Sequence, residues 1–295
     1  MKQRLLFIIV AFFATVTAHS KVAINATNFP DENFRTIVAG TDINKDANGY
    51  LSDEEIAAVT QLTVNHKNIA SLKGIEFFTA LTVLDCENNL LTSLDVSKNT
   101  ALTILYCWNN QLTSLDVSKN TALTSLFCYN NQLKSLDVSK NTALTSLSCF
   151  NNQLTALDVS KNTALQYLYC FGNQIKGEQM QALVNSLPTV TKGVFYVIDT
   201  KNSNEQNVCT KPQVKIATDK GWKVSDYNGG ESPQEYAGSE GIAINATNFP
   251  DENFRAVVAG TDIDKDANGY LSDEEIAAVT QLDVREKGIQ NLKGI

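Results

Sequence analysis

A block of 21 residues recurs almost unchanged through the middle of the chain, and this repeat constrains the fold more than any other feature. From position 81 the sequence is LTVLDCENNLLTSLDVSKNTA, then LTILYCWNNQLTSLDVSKNTA, and two further full copies and a shorter fifth follow. A unit this short cannot bury its own apolar side chains, so successive units must stack against one another. The repeat therefore predicts a solenoid with one continuous core.

Leucine, cysteine and asparagine keep fixed positions within each unit. Apolar and polar residues alternate through Leu84, Asp85 and Cys86, which predicts one short strand per unit with leucine and cysteine turned inward. Leu94 and Val96 supply a second inward edge. The recurring residues are Leu81, Leu102, Leu123, Leu144 and Leu165, then Cys86, Cys107, Cys128, Cys149 and Cys170, and finally Asn89, Asn110, Asn131, Asn152 and Asn173.

This spacing resembles the leucine-rich repeat family, whose pattern is Leu-x-x-Leu-x-Leu-x-x-Asn-x-Leu, with cysteine in place of the third leucine. The match covers residues 59–175 when a slightly longer first unit with Val59, Leu62 and Val64 is included. It is most similar to bacterial secreted repeat proteins of the internalin-like kind. The resemblance implies an α/β repeat fold, namely a leucine-rich repeat solenoid with a parallel sheet.

The repeated asparagines and cysteines are interpreted as architectural. A buried amide that bonds the backbone of the turn satisfies polar groups that water cannot reach. The five cysteines would stack on neighbouring strands about 4.8 Å apart, which leaves disulfides or a metal cluster as alternatives. An odd number cannot pair completely, and free thiols acting as small hydrophobes are the favoured interpretation. Cys209 is expected in the core as well.

The residues that flank each inward leucine and cysteine point to the concave face of the solenoid. Eight aromatic residues lie between positions 81 and 175, and all eight occupy these outward positions. Such an apolar patch predicts a surface that binds a protein or peptide, with a glycan as the second possibility and simple ring stacking as the structural alternative. The predicted ligand-binding residues are Asp85, Glu87, Tyr106, Trp108, Phe127, Tyr129, Phe150, Tyr167, Tyr169 and Phe171.

Within this surface, Trp108 and Tyr129 are the predicted energetic centre. Asp85 and Glu87 place acid at one end of it, which favours a partner with a complementary positive region.

Residues 22–75 recur at 242–295, and only ten of these 54 positions differ. Each copy predicts a helix followed by a twelve-residue loop that resembles the EF-hand calcium loop, with alternate oxygen donors, a glycine at the sharp turn and a final glutamate. The resemblance implies calcium as a structural cofactor. Its ligands would be Asn44, Asp46, Asn48, Tyr50 and Glu55 in the first copy, and Asp264, Asp266, Asn268, Tyr270 and Glu275 in the second.

The first loop departs from the EF-hand pattern, because Asn44 stands where an aspartate is expected and one negative charge is lost. A weaker calcium site is therefore expected there. The pairs Ser52 with Glu55 and Ser272 with Glu275 are also capping boxes for the helix that follows. A metal-free turn remains the alternative for both loops.

The chain divides into six predicted segments. Lys2 and Arg4 precede a short apolar run and small residues, which predicts a signal peptide over 1–18 and hence a secreted or cell-surface protein. The remaining segments are an EF-hand-like helical cap (22–58), the repeats (59–175), a closing αβαβ unit (176–228), a linker (229–241), and a second cap with the start of a truncated second repeat array (242–295).

Charge and histidine content limit the possible functions. Asp and Glu total 32 against 24 for Lys and Arg, a net charge of −8, which argues against nucleic-acid binding. The chain holds two histidines and no recognisable catalytic motif, and the carboxylates of Asp85 and Glu87 lie on an open sheet rather than in a cleft. The sequence therefore predicts a binding or adhesion module that is not an enzyme, with a purely structural spacer as the alternative.

Overall fold

The structure is a computed structural model that describes residues 21–295 except 240, 245, 247, 261, 265–269, 272 and 286. The predicted signal peptide, residues 1–18, lies outside the described residues. No helix in the described part of the chain is both long enough and apolar enough to cross a membrane.

The first cap is a small helical unit whose helices begin at polar side chains. The Asp31 carboxylate accepts a hydrogen bond from the backbone N–H of Phe34, and Ser52 forms a reciprocal capping box with Glu55. These bonds fix the start of both helices. The elements of this cap are β1 (Val22–Ala23), α1 (Glu32–Ala39), β2 (Tyr50–Leu51) and α2 (Asp53–Ala58), with β1 and β2 paired antiparallel.

Each repeat contributes one three-residue strand to a parallel sheet. The strands pair in register, so that Leu84 is the partner of Leu105 and Leu105 is the partner of Leu126. The predicted leucine-rich repeat fold with a parallel sheet is confirmed. Its strands are β3 (Gln61–Thr63), β4 (Val83–Asp85), β5 (Ile104–Tyr106), β6 (Ser125–Phe127), β7 (Ser146–Ser148) and β8 (Tyr167–Tyr169).

The sheet continues beyond the repeats through a closing unit. Two helices alternate with two strands, and both strands extend the sheet in parallel. A further short strand then pairs antiparallel with the last of them. These elements are α3 (Glu178–Ser186), β9 (Gly193–Ile198), α4 (Lys211–Asp219), β10 (Trp222–Asp226) and β11 (Gln234–Glu235).

Strand β11 lies within residues 229–241, the segment predicted as a linker. Its residues pair with Ser225 and Asp226, and Tyr236 donates its backbone N–H to Val224. An open strand edge carries unpaired backbone groups, and β11 covers the edge of β10. The polar composition of the segment hid this role, because a two-residue edge strand leaves almost no pattern in a sequence.

One core runs along the array. The inward leucines are buried, as are Leu94, Val96 and their counterparts in the other repeats. All six cysteines are buried too, and none of them forms a disulfide bond. Burial raises the pKa of each ladder thiol, to about 12 for Cys128. A thiol that stays protonated at neutral pH is a poor nucleophile and behaves as a small apolar group. The prediction of buried, unpaired cysteines agrees with this arrangement.

Asparagine amides tie neighbouring repeats together. Asn110 donates to the carbonyls of Cys86 and Cys107 and accepts a hydrogen bond from the Leu91 backbone N–H. The same bonds recur at the other predicted positions, which confirms their architectural role. Asn207 extends this ladder into the closing unit by bonding Cys170, Val197 and Ile175, which the repeat pattern did not predict because the spacing changes there.

The structure contains two more asparagine ladders that the sequence analysis did not predict. Asn99, Asn120, Asn141 and Asn162 are fully buried, and each amide nitrogen donates to carbonyls of the preceding repeat. Asn88, Asn109, Asn130 and Asn151 lie nearer the surface with left-handed backbone, and each amide after the first donates to the previous one. Their signal was present, because the same residue recurs every 21 positions.

The second copy of the cap forms a separate small core of Phe249, Phe254, Val258, Ile263 and Leu271. Its described elements are β12 (Ile242–Ala243), α5 (Glu252–Val258), β13 (Tyr270–Leu271) and α6 (Asp273–Ala278), with β12 and β13 paired antiparallel.

Candidate functional site

Five aromatic rings form a continuous stack along the concave face. Neighbouring centroids lie 4.1–4.9 Å apart, and neighbouring planes differ by 12–13°. From Trp108 to Phe171, one ring per strand at strand spacing produces this geometry, because parallel strands repeat about every 4.8 Å. Tyr227 follows β10 and stacks on Phe171, which follows β8, although β9 lies between these strands. We call this set the aromatic stack: Trp108, Tyr129, Phe150, Phe171 and Tyr227.

A second row of rings runs beside the aromatic stack but is interrupted. Tyr106 stacks on Phe127 at 5.0 Å, and Tyr169 stacks on Tyr196 at 4.9 Å. Ser148 occupies the position between these pairs and is buried. Tyr167 lies outside both rows and is exposed. The positions in register with Tyr167 on the other strands carry small or aliphatic side chains, namely Val83, Ile104, Ser125, Ser146 and Val194.

The closing unit adds two rings that the sequence analysis did not predict. It also buries one ring that the sequence analysis predicted at the surface. Tyr196 and Tyr227 extend the two rows, and the alternation of Phe195, Tyr196 and Val197 on β9 was the signal available for the first of them. Phe171 is only 1% exposed, because Tyr227 stacks on one face and Phe150 on the other. A role of Phe171 in ligand binding stays a prediction.

The predicted acidic end lies on strand β4 and the turn that follows it. Asp85 pairs in register with Tyr106 and accepts hydrogen bonds from the Asn65 side chain and the Glu87 backbone. The side chain of Glu87 is 15% exposed, and its Oε1 lies 3.7 Å from His66 Nε2. Burial and the neighbouring Asp85 raise the pKa of Glu87. These two carboxylates thus sit beside the rings with little compensating positive charge.

Two tyrosines of the ring rows are partly desolvated. Burial and the charge of Glu87 raise the pKa of Tyr129 to about 12. Burial also raises the pKa of Tyr169, so both phenols stay protonated at neutral pH and act as hydrogen-bond donors.

In the first predicted calcium loop, oxygen-bearing groups converge. One terminal atom of the Asn44 carboxamide lies 3.1 Å from Asp46 Oδ1 and 3.3 Å from the Tyr50 carbonyl oxygen. Asn44 is buried. If that atom is nitrogen, it donates to both oxygens. If it is oxygen, three oxygens converge, which is part of the set of about six to eight oxygens that calcium binds.

Other groups of this loop already form hydrogen bonds within the cap. Glu55 accepts from the backbone N–H groups of Lys45 and Ser52, and Asn48 donates to Asp46. Hydrogen bonds from the backbone, first of all from Ser52, lower the pKa of Glu55. The predicted capping box of Ser52 and Glu55 is formed, and the calcium loop stays a prediction.

The second predicted loop is described only in part. Asp266 and Asn268 lie outside the described residues, whereas Asp264 and Glu275 are buried and Tyr270 belongs to β13. Across the described part of the chain, no three His, Cys, Asp or Glu side chains form a group that could hold a metal ion.

On the opposite edge of the array, the repeated aspartates serve the turns. Asp95, Asp116, Asp137 and Asp158 each accept a hydrogen bond from the backbone N–H of the serine two residues later. That bond is the first cause that lowers the pKa of Asp95, Asp116 and Asp137. Local turn capping therefore explains these carboxylates better than charge compensation with the nearby lysines.

Comparison with known proteins supports the repeat fold. The profile for leucine-rich repeats (two copies) matches residues 100–141. Internalin J of Listeria monocytogenes is 46% identical over 71 residues, which is 24% of this chain and 8% of that protein. This chain thus matches a small part of the curated relative.

Two solved structures are also similar. The functional domain of InlJ from Listeria monocytogenes, described as including a cysteine ladder, shares 29% identity over 69% of this chain and 56% of that one, with a TM-score of 0.42. An internalin (InlF) from the same species shares 22% identity over 70% of this chain and 58% of that one, with a TM-score of 0.56. The chain therefore carries leucine-rich repeats and shares the fold of a solved internalin.

Proposed function

We propose that this chain is a secreted or cell-surface binding module whose concave aromatic surface engages a protein or peptide partner. The observation that carries the proposal is the aromatic stack. Its rings lie on the sheet face, apart from the leucine and cysteine core, and Trp108, Tyr129 and Phe150 are only half-buried. Half-buried aromatic residues in a cluster are typical of the centre of a protein interface.

The orientation of the rings favours a protein or peptide over a glycan. Sugar rings bind by lying flat on an aromatic face, but interior rings of the aromatic stack have both faces covered by their neighbours. They present edges to solvent. Edges and phenol hydroxyls suit the side chains and backbone groups of a protein partner. The similarity to Internalin J and the extended shape of repeat arrays support the same class of partner.

A role in binding, rather than in catalysis or as a spacer, can be tested by comparing variants. The full chain is immobilised beside Trp108→Ala, Tyr129→Ala and a matched control, Lys119→Gln with Lys140→Gln, which changes the opposite edge. Proteins from microbial or host surface extracts that bind the chain are identified, purified and titrated individually. We expect at least a tenfold loss of affinity in both aromatic variants and none in the control, provided circular dichroism shows that all variants fold.

An unchanged affinity in both aromatic variants would remove Trp108 and Tyr129 as the binding centre. Failure of the chain to retain any protein in a manner that depends on these rings would favour the structural spacer. Retention of glycans on a defined array, lost in the same variants, would favour the glycan alternative.

The proposed module also holds calcium in its caps as a structural cofactor. Support comes from the convergence of Asn44, Asp46 and the Tyr50 carbonyl, together with Glu55 at the end of the loop. When bound, calcium would cross-link the loop to the start of α2. Calorimetric titration of the chain with calcium is expected to show binding at about 10⁻⁴ to 10⁻³ M, typical of extracellular modules. An absence of heat at millimolar calcium would contradict this part of the proposal and leave the metal-free capping box.

A further inference from the structure

The end of the aromatic stack nearest the first cap lies beside the carboxylates of Asp85 and Glu87. Strand β5 begins both rows of rings, with Tyr106 in one and Trp108 in the other. On the next strand toward the cap, Asp85 pairs with Tyr106, and the segment carrying Glu87 lies beside Trp108, as the hydrogen bond from Asn88 N–H to the Trp108 carbonyl shows. We call Asp85, Glu87, Tyr106 and Trp108 the acidic corner.

Ring stacking makes this corner chemically different from the rest of the surface. Trp108 stacks on Tyr129 and Tyr106 on Phe127, both on the side away from the cap. No described ring stacks on their other faces, because the neighbouring strand supplies carboxylates at those positions. The negative face of an aromatic ring attracts a cation, and tryptophan attracts it most strongly. Ring faces and carboxylates therefore meet about one strand spacing apart.

The carboxylates of the corner have little positive charge around them. Asp85 is bonded by Asn65, and Glu87 is bonded by the neutral Asn88 side chain and lies 3.7 Å from His66. Among the described residues, no lysine or arginine forms an ion pair with either carboxylate. Glu87 is mostly buried, and a desolvated carboxylate without a cation is unfavourable. A positively charged group from outside would compensate both charges.

We propose that the acidic corner is a docking site for an arginine side chain of the partner protein. This inference rests on the proposed function. A guanidinium group is planar, stacks on aromatic faces and donates in a fork that matches carboxylates, so it satisfies both parts of the corner at once. A lysine ammonium would satisfy the charge but would not stack as a plane.

The chain allows a direct spectroscopic test, because it contains two tryptophans in different environments. Trp222 is buried and donates its indole N–H to the Pro188 carbonyl, so its signal is an internal reference for that of Trp108. The full chain is titrated with the blocked amino acid N-acetyl-arginine-methylamide, and separately with the citrulline analogue, which has the same shape but no charge. We expect the arginine compound to shift the Trp108 indole signal in a saturable way. The citrulline analogue should bind at least tenfold more weakly.

The variants needed are charge-matched. Asp85→Asn with Glu87→Gln removes two negative charges from the corner, and Asp116→Asn with Asp137→Asn removes two from the opposite edge, where asparagine can still cap the turn. We expect arginine binding to weaken at least tenfold in the first variant and to remain unchanged in the second. Equal binding of arginine and citrulline, or no difference between the two variants, would overturn the proposal.

The arginine site and the aromatic binding surface can be contradicted independently of each other. If a purified partner loses affinity with Trp108→Ala and Tyr129→Ala but binds the Asp85→Asn, Glu87→Gln variant as tightly as the wild type, the arginine site is wrong and the aromatic binding surface stands. If the partner loses at least tenfold in both sets, both are supported.

Discussion

The two caps have nearly the same sequence but different surroundings, and the difference shows what a cap needs. In the first cap, Leu72 and Ile75 are 4% and 2% exposed because the repeats pack against them. Their counterparts in the second cap, Leu292 and Ile295, are 46% and 79% exposed. An open apolar cavity of about 510 Å³ on the second cap includes Leu282, Gly294 and Ile295 in its lining. Leu72 and Ile75 thus belong to a core because the repeat that follows packs against them.

Local structure, in contrast, is the same in both caps. Asp31 and Asp251 each cap a helix and accept two backbone N–H groups from the segment about forty residues later. Gly74 and Gly294 have the same φ of +106° beside a phenylalanine ring. Helix starts and turns are therefore set within each copy, whereas burial of the outer face depends on the array.

The largest expected difference between the caps follows from removing one leucine in each. Leu72→Ala should lower the free energy of unfolding by about 2–5 kcal/mol, because it leaves a cavity in the core. Leu292→Ala should change it by less than about 0.5 kcal/mol, because that side chain is exposed. Urea unfolding followed by circular dichroism measures both. A similar loss in the two variants would mean that the second face is covered in solution.

A smaller difference is expected at the paired glycines. A Cβ at position 74 would lie 2.2 Å from Phe29 Cδ1 and 2.7 Å from the Asn28 carbonyl oxygen, and one at position 294 would meet Phe249 at 2.5 Å. Gly74→Ala should destabilise the protein by about 1–3 kcal/mol. Gly294→Ala should destabilise the protein less, because its Cβ would lie 2.5 Å from Phe249 Cδ1 and 2.9 Å from the Asn248 carbonyl oxygen, both longer than the matching distances at position 74. Thermal unfolding compares them, and an equal shift of Tm would show that backbone strain alone decides the cost.

The loops differ in one predicted calcium ligand, Asn44 against Asp264. Under the calcium proposal, Asn44→Asp should tighten the first site roughly tenfold, about 1.4 kcal/mol, because a carboxylate replaces a neutral amide. Calorimetric titration measures this change, and Asp264→Asn is the reciprocal control, expected to weaken the second site. If Asn44→Asp left the calcium isotherm unchanged, residue 44 would not be a ligand.

The smallest effect concerns pH. Hydrogen bonds from the backbone of Phe254 and then Gln290 lower the pKa of Asp251. A carboxyl group with a lowered folded pKa contributes stability above its unfolded value, roughly 3.9, and loses that contribution as pH falls through the folded pKa. The amide signals of Gln290 and Asn291 should therefore shift together in an NMR titration below about pH 4. Asp251→Asn should abolish this transition, and its persistence would assign it to another group.

Sequence periodicity predicted much of the fold because the repeat is a local signal. Leu84, Cys86 and Val96 were placed in the core, and Tyr106 and Trp108 on the sheet face, from alternation alone. The ladder that begins at Asn99 could also have been predicted, since an asparagine recurs there every 21 residues. Asn207 and Tyr227 were not, because they join the array from the closing unit, where the period is broken.

The sequence alone determined which side chains face the core and which face outward, because a strand of period two fixes both sides once one side is apolar. Only the tertiary structure decided which outward residues stay accessible. Phe171 is outward in pattern yet covered by Tyr227, and Trp108 keeps one unstacked face only because Glu87, and not another ring, stands at the corresponding place on the neighbouring strand. Leu72 and Leu292 differ in exposure because only Leu72 is covered by a repeat that packs against it. Accessibility depends on what packs from distant parts of the chain, and a local pattern carries no record of that.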